Sequence, residues 1–332
     1  MYQDFYSFSA MPFQLTPDCR FYFGSNEHRK AMSFLQYGLS QEEGFVVVTG
    51  EIGAGKTTLV EQLLSTIDPA KYVIARIVTT QLGGYDTLCL IANAFGVASG
   101  GVDKGPLIGR VKEVFASLHA QQKQPLIIVD EAQSLTLEAL EELRMLSNLS
   151  VGPRAPFQGI FLGQPEFRAA LAQGELQQFR QRVIASCHLG ALSAHDTREY
   201  VQHRLRRVGW TDDPGFTDDA FEEIYANSGG IPRRINALCS RLLLLGYLEE
   251  KHAIDGTAVA NVAREMAAEL GTAGARPPSS VASSAVVSAS AGTAQFDEIR
   301  ARLHNVERLT KRNEKAIVRV LDLALKYLPE ES

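Results

Sequence analysis

The stretches GFVVVTG (44–50), YVIARIV (72–78), PLIIVD (125–130), FQGIFLG (157–163) and RVIASCHL (182–189) are short, mostly apolar and bounded by turn residues. Runs of this length suit strands buried on both faces. Between them, KTTLVEQLLSTI, YDTLCLIANAFG, LIGRVKEVFASLHAQQ and LTLEALEELRMLSN carry apolar residues three and four apart, the spacing of an amphipathic helix. Strand and helix alternate, so the pattern predicts an α/β domain over residues 1–190, with five parallel strands and helices on both faces. Beyond residue 190 the strand pattern stops. Ser193 with Asp196, Thr217, Pro232 and Asp255 each stand where a helix can start, which predicts an all-helical domain over 191–272.

The Ala/Ser/Gly/Pro stretch at 273–294 has too few apolar anchors to pack a core and reads as a flexible linker. After it, Phe296, Ile299, Leu303, Val306, Thr310, Asn313, Ile317, Val320, Ala324 and Tyr327 form a heptad seam. A coiled-coil-like helix is expected over 295–328, pairing with a copy of itself or with a partner. The plainer alternative is one amphipathic helix folded back on the body.

Composition changes this picture little. The chain has 332 residues, 45% of them hydrophobic and 21% charged, enough for a sizeable core and about two domains. No apolar run is long enough to span a bilayer, and MYQDFYSFSAMPF has no basic cluster before an apolar run. The expected location is therefore cytoplasmic, with at most peripheral contact at the inner membrane. Cys19, Cys89, Cys187 and Cys239 are widely spaced, as expected of reduced, buried thiols. A net charge of −5 argues against nucleic-acid binding by the whole surface.

The chemistry concentrates at strand ends. Gly50, Gly55, Lys56 and Thr57 fit G-x-x-x-x-G-K-[ST] between a strand and a helix. Gly50, Glu51, Ile52, Gly53, Ala54, Gly55, Lys56, Thr57 and Thr58 are thus the candidate phosphate-binding residues, and ATP with Mg²⁺ is the expected ligand pair. Lys56 reaches the terminal phosphates, and Thr57 offers its hydroxyl to the metal. LIIVDEAQ ends an apolar strand in two carboxylates: Asp130 is the expected Mg²⁺ partner through water, and Glu131 the base that polarises the attacking water. Gln164 ends another strand, where an amide can hold that water or the γ-phosphate. Arg233 and Arg234 open a helix of the second domain and can fold over the phosphates. Arg180 and Arg182 precede the last strand, from which Arg182 can project into a neighbouring subunit's site.

In order, PFQLTPD, FYFGSNEHRKAMSFLQYGL, the phosphate loop, VDEAQSL, LGQPEFR, FRQRV and GGIPRRINALCSRLLLL resemble the ExeA-type secretion ATPases of the AAA+ class, in particular those associated with the PEP-CTERM and exosortase system. The resemblance runs from residue 1 to about 270. It implies the AAA+ P-loop fold, an αβα core with a helical lid, with Gln164 as sensor 1 and Arg233 as sensor 2. It also implies that Phe13, Leu15 and Tyr22 line an adenine pocket. ExeA itself continues into a membrane helix and a peptidoglycan-binding domain, where this chain has the linker and heptad helix. The function so implied is an ATPase that drives or regulates an envelope export, protein-sorting or exopolysaccharide machine. Its expected partners are copies of itself and components of that machine reached through the C-terminal helix. Two alternatives belong to other classes: a DNA-dependent ATPase of the transposition-helper type, using the arginines of HRLRRVGW and IPRRINALCSRLL, and a nucleotide-controlled scaffold. DNA is not the expected partner, given the acidic net charge.

Overall fold

Five parallel strands, β1 (Phe45–Gly50), β2 (Tyr72–Val78), β3 (Gln124–Asp130), β4 (Gln158–Gly163) and β5 (Val183–Leu189), stand in the order β2-β3-β4-β1-β5. The computed structural model describes residues 2–16, 18–78, 83–152 and 154–269, all in one compact unit. The linker expected at 273–294 and the heptad helix expected at 295–328 lie outside the described residues. The helices are α1 (Tyr2–Phe5), α2 (Asn26–Ser40), α3 (Lys56–Thr66), α4 (Gly84–Ala94), α5 (Lys104–Ala120), α6 (Leu137–Ser147), α7 (Pro165–Ala172), α8 (Gln177–Arg180), α9 (Ala194–Arg206), α10 (Asp218–Ser228), α11 (Pro232–Leu248) and α12 (Gly256–Glu269).

Strands β1 and β4 are buried along their whole length, and β3 is buried up to Asp130. That burial on both faces is why their sequences are unbroken apolar runs rather than alternating ones. One face packs Leu35, Leu59, Leu63 and Leu162 between the sheet and α2 and α3. The other packs Phe45, Phe115, Phe157 and Phe161 with α4 to α7. Because β4 lies between β1 and β3, the carboxyl end of β4 stands between the phosphate loop and the acidic pair.

The second body is built on α9 to α12. Ser193 Oγ accepts the Asp196 N–H at 3.0 Å, and Asp255 Oδ1 accepts the Ala258 N–H at 2.8 Å, each capping a helix start. Thr217 stands at the α10 cap position, but its hydroxyl donates to the Ile254 carbonyl at 3.2 Å instead. Helices do not account for the whole of this body. Gly215–Phe216 (β6) pairs with Ala253–Ile254 (β7) in a two-stranded parallel sheet.

The amino-terminal segment packs differently from the expected division at residue 190. Tyr2, Tyr6, Phe8, Phe13 and Phe21 share a core with Tyr200, Leu205, Ile235 and Leu242 of the helical body. Backbone and side-chain bonds reinforce this attachment. Ser9 N–H donates to the Val208 carbonyl at 2.9 Å, Arg204 Nε to Pro12 at 2.6 Å and Tyr6 Oη to Lys251 at 2.8 Å. Residues 2–16 and 18–21 are therefore a strap on the lid. All four cysteines are free, but against the expectation of burial only Cys239 is buried: Cys19 is exposed and Cys89 and Cys187 are half-buried, with burial pushing Cys187 up to about 11.

Candidate functional site

At the carboxyl end of β1 the chain turns through residues 51–55 into α3. Gly50 has no room for a side chain, since a Cβ would lie 2.5 Å from the Leu189 carbonyl oxygen. Gly53 is fixed twice over: its φ is +84°, and a Cβ would stand 2.3 Å from Arg233 Cβ. Arg233 also donates its backbone N–H to the Gly53 carbonyl at 3.2 Å, so the first turn of α11 rests directly on the phosphate loop.

Lys56 is buried and turns back on the loop, donating to the carbonyls of Gly50 at 2.7 Å and Glu51 at 3.0 Å. Burial pulls its pKa below the usual lysine range, with the carboxylates of Glu131 and Asp130 opposing. Thr57 Oγ1 donates to Asp130 Oδ2 at 2.9 Å. A hydroxyl and a carboxylate at this separation are hard oxygen donors suited to Mg²⁺, which takes few protein ligands and keeps several waters. Among the described residues no cluster of three or more His, Cys, Asp or Glu could form an all-protein metal cage.

Glu131 follows Asp130 with φ +53°, a conformation rare for a residue with a side chain. Its Oε2 accepts from Gln164 Nε2 at 2.9 Å and from Gln133 Nε2. Burial alone would raise its pKa; the two amides and the Lys56 charge outweigh it and hold the carboxyl below its ordinary value. The structure thus brings Lys56, Thr57, Asp130, Glu131, Gln164 and Arg233 to one corner. Arg182 lies elsewhere, at the opposite end of β5, with its Nη2 bonded to Asn148 Oδ1. Arg180 lines a cleft along the edge strand β5 with Arg168 and His188.

From this corner a cleft of about 300 Å³ runs between core and lid, lined by Leu15, Tyr22, Phe21, Tyr200, Arg204 and Asn236 among others. Leu15 and Tyr22 line this cleft, while Phe13, expected beside them, is buried in the lid core, and only its neighbour Gln14 reaches the cleft. Arg204 is buried too, bonded to Pro12 and to Tyr200 Oη at 2.7 Å and stacked 4.7 Å over the Phe21 ring.

Sequence reasoning missed His28. Ser25 Oγ accepts the His28 N–H at 3.3 Å and shares a hydrogen bond with Nδ1 at 2.8 Å. Nε2 faces the phosphate loop at Ala54 and Gly55. Burial lowers the His28 pKa to about 4, with the Ala54 backbone and Asp196 pulling the other way. Above pH 6.5 the ring is neutral folded or unfolded; as pH falls from 6.5 towards 4, the unfolded chain alone takes up the proton. The folded state is expected to lose about 3 kcal/mol across that window. Urea titrations between pH 7 and 4.5 should show this loss in the wild type and a shallower one in His28→Gln. Equal slopes would remove His28 from the account.

A strand inserted between the phosphate-loop strand and the acidic strand, with a helical lid resting on the loop, decides the architecture. The protein has the AAA+ P-loop fold. Residues 39–171 match the family described as AAA domain. Over 258 residues it is 36% identical to General secretion pathway protein A of Aeromonas hydrophila, covering 76% of this chain and 46% of that protein. The chain thus spans about half the length of the curated relative it matches. Among solved structures, Cdc6p of Pyrobaculum aerophilum aligns with a TM-score of 0.59 at 14% identity, covering 79% of this chain and 70% of that one. The ORC2 protein of Aeropyrum pernix, in ADPNP-ADP complexes, gives 0.55 at 16%, covering 73% and 68%. At such identities the likeness is one of AAA+ fold.

Proposed function

We propose that the protein is a Mg²⁺-dependent ATPase, and that its cycle of ATP binding and hydrolysis drives assembly or regulation of a bacterial envelope export machine, of the PEP-CTERM/exosortase or exopolysaccharide kind. The carrying observation is the meeting of Lys56, the Thr57–Asp130 pair and the Glu131–Gln164 pair at the mouth of one loop. Thr57 and Asp130 would hold Mg²⁺, which would supply positive charge against the phosphates. Lys56 exchanges two loop carbonyls for phosphate oxygens. Glu131 accepts the proton of the attacking water while Gln164 orients it. Arg233, next to Gly53, carries the state of the phosphates to α11.

The export assignment rests on the likeness to General secretion pathway protein A. DNA is the less favoured partner because the chain carries a net charge of −5. Arg204 of α9 is buried among Pro12, Tyr200 and Phe21, while Arg206, Arg207, Arg233 and Arg234 stay exposed, so measured stimulation by DNA decides that reading. The test has two levels. Purified protein should hydrolyse ATP only with Mg²⁺ and without stimulation by DNA; a large rise with DNA would favour the transposition-helper reading. In the native host, replacing the chain by its Glu131→Gln variant should stop delivery of the exported protein or polysaccharide. Unimpaired delivery would overturn the export role.

A further inference from the structure

Gln133 lies in the single turn after β3, two residues past Glu131, and its amide closes a ring. Its Oε1 accepts the backbone N–H of Gln164 at 3.0 Å, and its Nε2 donates to Glu131 Oε2. The side chain of Gln164 donates to that same Oε2 at 2.9 Å. The backbone N–H can only donate, so the Gln133 amide has one allowed orientation, with its NH₂ towards Glu131. This ring joins two strand ends: Glu131 follows β3, and Gln164 caps α7 after β4. It also holds Glu131 in its positive-φ conformation, which needs support from its surroundings to persist.

We propose that Gln133 is a positioning residue for Glu131, tying the carboxylate to the start of α7 so that carboxylate and Gln164 answer together when a nucleotide's terminal phosphate arrives. Nothing in this role touches substrate. Gln133 sets where Glu131 points, and misplacing a base by about 1 Å costs roughly 10²-fold in rate. The proposal rests on the reading of Glu131 as the base.

Steady-state hydrolysis and nucleotide affinity, measured on the full chain, separate the possibilities. Glu131→Gln comes first: if it turns over normally, the reading of Glu131 fails and the proposal with it. Given a dead Glu131→Gln, two variants of similar size to Gln133 are compared. Gln133→Met removes both bonds, and Gln133→Glu keeps an acceptor for the Gln164 N–H but sets a carboxylate against Glu131. Both should bind ATP with affinity and melting temperature near wild type, and kcat should fall roughly 10²-fold in Gln133→Met and further in Gln133→Glu. Gln164→Met should fall similarly, and the Gln133→Met, Gln164→Met double variant should fall little further, because the two amides act on one oxygen. A normal kcat in Gln133→Met with Glu131→Gln dead would overturn the proposal and leave the base assignment standing. So would additive effects of the two Met variants, or a common loss of kcat, affinity and melting temperature in both Gln133 variants, which marks a structural role.

Discussion

Glu131→Gln should bind ATP and Mg²⁺ as the wild type does and lose about 10²- to 10⁴-fold in turnover, the usual contribution of a positioned general base. The substitution keeps the size of the side chain and an oxygen that can accept from Gln164 and Gln133, so the ring around it need not collapse. What disappears is the group able to take a proton from water. Lys56→Ala is the complementary variant: it removes the cation that now caps the loop carbonyls of Gly50 and Glu51, and affinity itself should fall. Equilibrium binding of a fluorescent ATP analogue, set beside phosphate release, distinguishes the two. Glu131→Gln turning over near the wild-type rate would mean that another group activates the water.

The second large effect concerns the arginines before β5. If one of them completes the site of a neighbouring copy, its guanidinium offsets charge growing on the γ-phosphate and is worth about 10³- to 10⁵-fold in turnover. Arg182→Ala should then bind ATP normally but lose the rise in specific activity with protein concentration that the wild type shows. Mixing it with Lys56→Ala subunits should restore part of the rate, since each supplies what the other lacks. The Arg182 bond to Asn148 is exposed and costs little to exchange for a phosphate. Arg180→Ala is the necessary comparison, because Arg180, at the end of α8, lines the cleft with Arg168 of α7 and His188 of β5. Loss of activity in Arg180→Ala alone would transfer the role to it. Flat specific activity in wild type, over a range where oligomers form, would leave both arginines as surface charges.

The contrast between what was and was not legible in the sequence follows from chain distance. The phosphate loop and Asp130–Glu131 could be read because each is a local motif at the end of an apolar run, and the runs themselves stand out because β1, β3 and β4 are buried on both faces. The strap could not. Arg204 bonds to Pro12 across 192 positions, and no local pattern tells whether Phe13 faces a ligand or a core. Gln133 was visible as a letter of the motif but had no role until β4 was seen to bring Gln164 alongside it. His28 lacked a signal of its own kind as well: Ser25 three residues earlier reads as an ordinary cap, and only the fold sets the ring beneath Gly55.

With the strap fastened to the lid, a nucleotide whose base lay in the cleft would have base and phosphates held by different bodies. The phosphate end would sit on β1 and α3; the cleft beyond it is walled by Gln14, Leu15, Phe21, Tyr22 and Phe23 and by α9 and α11. Among the described residues, chain connects the two bodies only near Gly24, between Phe23 and Ser25, and near Gly190, between Leu189 and Leu192. Two crossings this short make a joint with few ways to bend. A nucleotide gripped at both ends would work as a strut across that joint, and loss of its terminal phosphate would change how the joint is braced. The first output of hydrolysis would then be a rotation, delivered at whatever surface the lid presents.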